Sequence, residues 1–382
     1  MGKSKVAVIH CPDYDEEEVF RAVRRGIELL GGPESFASRG ERILLKPNVL
    51  FGDPPQRCTT THPAVLKAVG RLFKALTPHV SYGDSSGFGK PAVQMRRARL
   101  AQAAEEIGIP LAEFTRGREV QLPGSPFTQR FTLAEGVLEA DGVINLPKLK
   151  THQLTRITGA VKNLFGCIPG LLKAEFHVKI QDPRDFARML VALNLLVRPR
   201  LHILDGIMAM EGNGPRSGDP VAMEVLLLSR DAIALDSVFC RLIDLNPEHV
   251  PTMAPGSAWG LGTYRWEEIE LVGDPIEPLI RPSFNVPRQP VVAQKRHSRY
   301  AVFKGPLSRR PVIDARRCAR CGVCVETCPV SPKALSWADG SHARPPVYDY
   351  RLCIRCFCCQ ELCPEKAISV RTPRLGKLLL GG

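Results

Sequence analysis

Apolar runs alternate with amphipathic stretches over the first 250 residues of the chain. Each apolar run is short, rich in Val, Ile and Leu, and bounded by turn residues, which is typical of a buried strand. The predicted strands are KVAVIH (5–10), ILLKPNVL (43–50), HVSYGDS (79–85), DGVINLPKL (141–149), RLHILDGI (200–207) and EVLLLS (224–229). Hydrophobic residues at spacings of three and four predict helical segments over 16–30, 63–76 and 92–107. Strands that alternate with helices predict an α/β fold, a large layered domain with a mostly parallel sheet.

The periodic pattern ends near residue 273. Five prolines between Pro275 and Pro290 interrupt the segment that follows, and the run QKRHSRYAVFKGPLSRR after them is basic. We therefore predict an α/β domain over residues 1–273, a Pro-rich basic linker over 274–311, a small domain over 312–372 and a tail over 373–382. The small domain has too few residues for a large hydrophobic core, so we expect metal to hold it together.

Composition excludes an integral membrane protein. The chain of 382 residues is 44% hydrophobic and 24% charged. No stretch approaches the roughly 18 consecutive apolar residues that a membrane span needs. The N-terminus has no apolar leader followed by a cleavage site, so we expect a cytoplasmic protein without a transmembrane segment.

Positive charge is concentrated in the C-terminal part. Residues 281–382 hold 19 Lys and Arg against 6 Asp and Glu, and they supply the whole net charge of +13. Such an excess can steer an acidic protein partner, an anionic substrate, nucleic acid or a membrane surface. It is equally consistent with a solvated basic linker.

The strongest motif is a repeated cysteine pattern. The spacing C-x2-C-x2-C-x3-C-P occurs over residues 318–329 and again over 353–364. Zinc ribbons use pairs of cysteines instead of evenly spaced triplets, and disulfides are disfavoured in a reducing compartment. The pattern resembles the bacterial two-[4Fe-4S] ferredoxin domain, in which three cysteines of each run bind one cluster and the fourth binds the other.

This resemblance implies two [4Fe-4S] clusters as cofactors and one-electron transfer as their chemistry. It assigns Cys318, Cys321, Cys324 and Cys363 to the first cluster, and Cys353, Cys356, Cys359 and Cys328 to the second. Cys358 falls between two of these ligands and is assigned to neither cluster. The segments VIDARRC and VYDYRLC precede the two triplets, and KALSW and KAISV follow the two Cys-Pro pairs. This internal repeat predicts a small α+β domain made of two pseudo-symmetric halves.

Polar side chains recur where the predicted strands end. Ligands bind at the carboxyl ends of strands in open α/β sheets, so these residues predict a binding site. Lysines there favour an anionic ligand, and a desolvated lysine can become an acid, a base or an imine former. The substrate-binding candidates are Lys46, Asn48, His62, Asp84, Lys148, Lys150, Asn163 and Asn213, and the catalytic candidates are Lys162, His152 and His177.

Each of these residues also has a structural explanation. A lysine can lie at the surface, and a histidine can be a satisfied core residue. A further alternative is a metal ion, if His62, His152 and His177 converge. The glycine loop GDSSGFGKP does not have the P-loop spacing, because Pro91 stands where Ser or Thr is required.

The order of the motifs resembles a known family. KPNV, THPAVLKAV, YGDSSG, LPKLKTH, GAVKNLFG, K-x-E-x-H, DGIMAMEGNGP and SRDAIALD follow one another between about residues 5 and 250, as in the domain of unknown function 362 family. A C-terminal ferredoxin pair is a common companion of that domain. The resemblance implies a two-domain architecture and a redox setting, without naming a substrate.

The first functional hypothesis is an iron–sulfur oxidoreductase that passes single electrons to an anionic substrate or a second cofactor in the large domain. Lys148, Lys150 and Lys162 would then hold the anionic group. His152 or His177 would supply a proton after the electron arrives.

The alternative is a non-catalytic electron carrier or assembly factor that docks on an acidic protein partner through the basic segment 281–317. A redox partner protein is expected under both hypotheses. Nucleic-acid binding is disfavoured, because Tyr300 and Phe303 alone make a poor stacking platform.

Overall fold

The computed structural model describes residues 2–87, 89–170, 172–291 and 308–373. The strands are β1 (Ser4–His10), β2 (Ile43–Pro47), β3 (Val80–Tyr82), β4 (Gly117–Gln121), β5 (Arg130–Ala134), β6 (Gly142–Leu146), β7 (Lys148–His152), β8 (Arg156–Thr158), β9 (Leu201–Glu211), β10 (Asp219–Ser229), β11 (Ile269–Gly273), β12 (Arg310–Ile313), β13 (Leu335–Ser336), β14 (Val347–Tyr348) and β15 (Ile368–Arg371). The α-helices are α1 (Glu16–Leu29), α2 (Pro63–Leu76), α3 (Pro91–Arg97), α4 (Leu100–Glu106), α5 (Glu135–Leu138), α6 (Ala160–Asn163), α7 (Leu172–Lys179), α8 (Pro183–Val197), α9 (Ala232–Leu242), α10 (Met253–Ala258), α11 (Val323–Glu326) and α12 (Cys358–Glu361).

A mixed sheet runs through the large domain in the order β11-β1-β10-β9-β6-β2-β3. Strands β9, β6, β2 and β3 pair in parallel, and so do β1 and β11. Strand β10 is antiparallel to both of its neighbours. Strand β7 adds to the sheet beside β9, and β8 pairs with β7. The predicted fold class, an α/β domain with a mostly parallel sheet, is confirmed.

Two hydrophobic clusters cover the two faces of this sheet. Leu190 of α8 and Val238 of α9 belong to one cluster, and Val23 of α1 belongs to the other. In β10, Leu227 packs into the first cluster and Leu228 into the second, because successive side chains of a strand point to opposite faces. Burial on both faces explains why the central strands read as continuous apolar runs.

Two predicted segments are interrupted in the structure. The segment 92–107 is two helices, because Arg99 lies between α3 and α4 in a left-handed conformation with a φ of 60°. The segment 141–149 is two strands, because Pro147 has no N–H for the ladder; β6 pairs with β2, and β7 with β8. Strands β9 and β10 have 11 residues each and extend beyond the predicted runs.

The C-terminal domain consists of two short antiparallel pairs and two short helices. β12 pairs with β15 and β13 with β14, so each pair joins the two halves of the internal repeat. Its apolar cluster is small and includes Leu335 and Ile368 together with cysteine side chains. Residues 292–307 of the predicted linker, with Tyr300 and Phe303, lie outside the described residues, and so do residues 374–382 of the predicted tail.

Candidate functional site

Helix α12 attaches the C-terminal domain to the loop between β9 and β10. The Gln360 side-chain amide donates hydrogen bonds to the carbonyl oxygens of Asn213 at 2.8 Å and Gly214 at 3.2 Å. Arg216 in the same loop donates a hydrogen bond to the carbonyl oxygen of Leu362 at 2.6 Å. These contacts hold α12 against the polar residues that follow the strands of the large domain.

The side chain of Glu361, the last residue of α12, enters the large domain. It is only 8% exposed, and its Oε1 lies 3.1 Å from His152 Nε2. Burial acts to raise its pKa, but His152, Lys162 and His177 outweigh burial and hold the pKa at about 2. Glu361 is therefore an anion that the C-terminal domain inserts among lysine and imidazole side chains. Glu361 carries no signal in the sequence, because no spacing distinguishes it from other residues between the cysteines.

His152 ends β7 with its tautomer set by the backbone. Its Nδ1 accepts hydrogen bonds from the N–H groups of Leu154 at 3.1 Å and Thr155 at 3.3 Å. The ring proton therefore lies on Nε2, on the side of Glu361. Burial lowers the pKa of His152, although Glu361 acts in the opposite direction. The imidazole is arranged as a neutral donor at Nε2.

Helix α6 carries Lys162, and the buried residue Asp236 fixes its first turn. The Asp236 carboxylate accepts the backbone N–H groups of Ala160 at 2.6 Å and Val161 at 3.2 Å. The residue before the helix, Gly159, has no room for a side chain, since an added Cβ would lie 1.9 Å from Asp236 Oδ1. This close approach positions the start of α6 and with it the Lys162 backbone.

Lys162 is the partly buried cation of the site that has no polar partner among the described residues. Its Nζ lies 4.8 Å from the centroid of the Phe165 ring. Burial lowers the pKa of Lys162, whereas Glu361 and Cys358 act to raise it. An ammonium group in this setting gains free energy from any anion that reaches it, because burial has already removed much of its hydration.

His177 lies on α7 beside the same carboxylate. Its ring stacks on Phe186 at 4.8 Å and meets the edge of Phe165 at 5.8 Å. Burial lowers the pKa of His177 to about 4, with Glu361 acting to raise it and Lys162 to lower it. His177 is therefore neutral near pH 7.

Two further lysines of the site are buried and hydrogen-bonded. Lys150 Nζ donates to Asn48 Oδ1 and to the Thr59 carbonyl, both at 2.7 Å. Lys173 Nζ donates to the carbonyl and the hydroxyl of Ser85, both at 2.7 Å. Burial lowers the pKa of both lysines to about 7. Both can therefore exchange a proton near neutral pH.

Other candidate lysines are paired inside the large domain. Lys46 Nζ lies 2.8 Å from Asp84 Oδ1, and Lys148 Nζ lies 2.8 Å from Asp205 Oδ2. All four side chains are buried. Each of these two lysines is thus neutralised by a carboxylate of its own chain, unlike Lys162.

His62 and Tyr14 extend the Lys148 pair towards the surface. The rings of Tyr14 and His62 stack at 3.6 Å. Tyr14 donates a hydrogen bond to Asp205 Oδ1 at 2.8 Å and accepts one from Lys148 Nζ at 2.7 Å. Burial lowers the pKa of His62 to about 4. Tyr14 was missed in the sequence, where it is one polar residue in a turn.

The candidate asparagines have different neighbours. Asn48 donates to Asn163 Oδ1 at 2.9 Å, and Asn163 donates to Asn145 Oδ1 at 2.7 Å, so a chain of amides links Lys150 to strand β6. Asn213 lies at the contact between the domains instead. Its side chain donates to the Ile368 carbonyl at 3.0 Å.

The three histidines do not form a metal site. No group of three or more His, Cys, Asp or Glu among the described residues is close enough to hold a single metal ion. His152 is committed to Glu361, whereas His62 stacks on Tyr14. Cubane clusters require a wider arrangement than a single ion, because each thiolate binds a different iron.

Eight cysteines of the C-terminal domain surround two cavities. Cys318, Cys321, Cys324 and Cys363 line one cavity. Cys328, Cys353, Cys356 and Cys359 line the other. Cys358 lines neither of them and points its thiol towards Cys356. Four thiols around each cavity fit the ligand chemistry of a [4Fe-4S] cluster.

The family model described as "Domain of unknown function (DUF362)" matches residues 43–241, just over half of the chain. The chain belongs to the DUF362 family. A second model, described as "4Fe-4S dicluster domain", matches residues 310–364. Both resemblances stated from the sequence are confirmed, and this DUF362 protein carries a 4Fe-4S ferredoxin-type domain at its C-terminus.

A curated relative of this DUF362 protein is the thylakoid-associated protein of Synechocystis sp., which is 38% identical over 257 residues. The match covers 67% of this chain and 79% of the relative. No helix in the described part of the DUF362 protein is long and apolar enough to cross a membrane.

Among solved structures, the lactate racemase apoprotein of Thermoanaerobacterium thermosaccharolyticum is similar with a TM-score of 0.39 and 11% identity. The likeness covers 62% of this chain and 57% of that chain. It carries no implication for the substrate of the DUF362 protein.

Proposed function

We propose that this protein is an oxidoreductase in which electrons from two [4Fe-4S] clusters reach an anionic substrate or second cofactor at Lys162. The residues that line the two cavities would hold the clusters, with Cys318, Cys321, Cys324 and Cys363 at one and Cys328, Cys353, Cys356 and Cys359 at the other. The clusters would supply electrons one at a time. The two domains would then divide electron storage from substrate binding.

The position of α12 carries this proposal. Cys359 in this helix and Cys363 just after it line different cavities, and Glu361 between them reaches the lysines and histidines of the large domain. Donor and acceptor sites in one chain are kept at high effective concentration. The segment 359–363, which reaches both cavities and the polar site, would give electrons a route through protein.

The charge state of each side chain in the site determines the role proposed for it. Lys162, which has no polar partner in the described part of the chain, would bind the anionic group. His152 would keep its Nε2 proton directed at Glu361, and Lys150 would supply a proton to the substrate because its pKa lies near 7. Each electron that reaches a bound substrate could thus be matched by a proton from a buried residue.

The test is turnover of a reduced protein. Clusters are reconstituted anaerobically in the full chain and reduced, and anionic metabolites with their uncharged analogues are screened for reoxidation of the clusters. We expect Lys162→Ala to lose turnover while its iron and sulfide content stays unchanged. Lys179→Ala is the matched control, because this lysine is exposed on α7 and pairs with Glu175. Unchanged turnover in Lys162→Ala would show that Lys162 does not bind the substrate.

A second candidate is a carrier that docks on an acidic protein. The Lys46–Asp84 and Lys148–Asp205 pairs favour it, since these lysines already have internal partners and serve the fold. The basic segment 281–317 would then provide the docking charge, although residues 292–307 lie outside the described part. Association should weaken steeply with salt, and salt-insensitive binding would exclude this candidate.

We also propose a cytoplasmic location for the protein. The name of the Synechocystis relative suggests the alternative of attachment to a membrane surface. Cell fractionation distinguishes the two, because a peripheral protein sediments with membranes and is released by salt, whereas a cytoplasmic protein stays in the supernatant.

A further inference from the structure

Several positions near the cysteines differ between the two halves of the C-terminal domain. Residue n of the first half corresponds to residue n + 35 of the second, so that Cys318 corresponds to Cys353. At two of these positions an apolar residue of the first half is replaced in the second by a donor whose partner is a cysteine sulfur. The pairs are Ile313 with Tyr348, and Val323 with Cys358.

Tyr348 donates a hydrogen bond to a cluster cysteine. Its hydroxyl lies 3.3 Å from Cys359 Sγ, and both residues line the second cavity. Ile313 lines the first cavity at the equivalent position and has no donor to offer. The internal repeat thus provides its own comparison, with the same backbone position occupied by a donor in one half and a hydrocarbon in the other.

Cys358 provides a second donor on the same side. Its thiol hydrogen-bonds to Sγ of Cys356, another residue that lines the second cavity. It is 8% exposed and lies close enough to Lys162 to affect its charge state. The extra cysteine of the second half is therefore a neighbour of Cys356, which lines the second cavity, and it acts electrostatically on Lys162 of the polar site.

Hydrogen bonds to the thiolate sulfurs of a cluster stabilise its reduced form, which carries more negative charge, and so raise its reduction potential. We propose that Tyr348 and Cys358 raise the potential of the second cluster and make it the point from which electrons leave for the large domain. The inference deepens the proposed function and rests on it only for the destination of the electrons. The change of potential requires nothing beyond bound clusters.

Two features of the backbone and surface act on the first cluster. The Ala367 N–H donates to Cys363 Sγ at 3.3 Å, and Pro332 at the equivalent place in the first half has no N–H to offer Cys328. Cys321 is exposed, which suits a first cluster that receives electrons from an external partner. Both features stay constant when only Tyr348 or Cys358 is changed, so a comparison of variants isolates the two side chains.

The experiment is a redox titration of the reconstituted full chain, followed by electron paramagnetic resonance. Tyr348→Phe should lower the potential of one cluster, making its reduced form about tenfold less stable, which is about 59 mV for a one-electron couple. Cys358→Ala should lower the potential of the same cluster, and Cys358→Ser should restore most of it because the hydroxyl can still donate. Ile313→Val and Val323→Ala are the matched controls in the first half, where the expected shift is zero.

The affected couple is assigned with Cys321→Ser and Cys353→Ser, which each damage one cluster. The Tyr348→Phe shift should persist beside Cys321→Ser and disappear beside Cys353→Ser. If Tyr348→Phe loses a cluster, its potential cannot be compared with that of the parent protein. The difference in reduction potential between Cys358→Ala and Cys358→Ser then tests the inference. Equal potentials in these variants and the parent protein, or a shift confined to the first cluster, would overturn the inference. The titration contains no substrate, so it can succeed even where the proposed activity fails.

Discussion

Single residues set the charge of the site where the domains meet. Glu361 brings one negative charge into a group with two neutral imidazoles and a partly buried lysine. Lys150 and Lys173 add two ammonium groups whose pKa of about 7 makes their charge sensitive to their surroundings. A change of charge beside these two lysines should therefore shift their protonation near neutral pH.

His177 gives the protein a defined sensitivity to acid. Its pKa is about 4 in the folded protein and near 6.5 in the unfolded chain, so the unfolded state binds more protons between these values. The free energy of unfolding should fall as pH falls from 6.5 towards 4, by roughly 3 kcal/mol from this residue. Urea unfolding at several pH values measures the slope. His177→Phe should make the slope shallower without removing it, because His62 and His202, whose pKa values are also lowered by burial, still contribute. The exposed His79→Gln should leave the slope unchanged. An unaltered slope in His177→Phe would contradict the burial argument.

Cys358 and Cys359 are neighbours with different expected roles. Cys359 lines the second cavity and Cys358 does not. Cys358→Ser should therefore keep full iron and sulfide content, while Cys359→Ser should lose about half of the iron or convert one cluster to an incomplete form. Iron and sulfide analysis with visible absorption checks both. Loss of a cluster in Cys358→Ser would mean that the ligand set is wrong.

Residues defined by spacing could be predicted from the sequence, and residues defined by docking could not. The cysteine runs needed only their intervals, since each interval fixes how thiols can surround a metal. Lys150, His152, Lys162 and His177 were selected because they follow strands, and they lie near one carboxylate. That carboxylate, Glu361, was missed because its environment comes from a domain contact between residues more than 200 positions apart.

At the scale of elements, the loop between β9 and β10 determines how α12 is held. Arg216 forms a buried ion pair with Asp53 at 2.7 Å, lies 3.8 Å above the Phe51 ring, and donates to the Leu362 carbonyl. It thus connects three segments of chain at the domain contact. Its position in the sequence, within EGNGPRSGDP, is consistent with an ordinary tight loop, so this connection had no sequence signal.

Removal of Arg216 alone should destabilise the protein strongly. Arg216→Met leaves Asp53 buried without its partner, which costs about 3–5 kcal/mol. Replacing both, as Asp53→Leu with Arg216→Met, should recover much of the loss because no isolated charge remains. Urea unfolding measures each variant, with the exposed pair member Arg188→Ala as the control. If the single and double variants lose the same free energy of unfolding, the isolated buried charge of Asp53 is not the cause of the destabilisation.

Elements with regular patterns were predictable, and their interruptions were not. Helix α2 covers the predicted residues 63–76, and α1 ends one residue before its predicted end. The break at Arg99 depends on a left-handed backbone conformation that is uncommon for arginine and that hydrophobic spacing does not indicate. The extension of β9 and β10 beyond their apolar runs depends on pairing with each other, which one-strand periodicity does not report.

At the scale of the whole molecule, the two domains have unequal means of stability. The large domain has two extensive hydrophobic clusters, whereas the apolar cluster of the C-terminal domain is small and built partly from cysteines. Below about 70 residues a core alone rarely suffices. The C-terminal domain should therefore depend on its clusters for folding.

Removal of iron should separate the two domains in a proteolysis experiment. After chelation under denaturant-free conditions, residues 312–372 should become sensitive to protease while the α/β domain stays resistant. Mass spectrometry of the fragments locates the cuts. Equal protection of the C-terminal domain with and without iron would contradict a fold that depends on metal.

The central claim is that electrons stored in the C-terminal domain are used at Lys162, and single-turnover reoxidation tests it most directly. The reduced full chain is mixed in a stopped-flow instrument with an anionic acceptor found by screening, and cluster absorption is followed. We predict that Lys162→Ala slows reoxidation by about 100-fold, a factor typical for loss of a charged contact in the reacting complex, while Lys179→Ala reacts at the parent rate. Equal rates in all three proteins, with clusters intact, would contradict the claim.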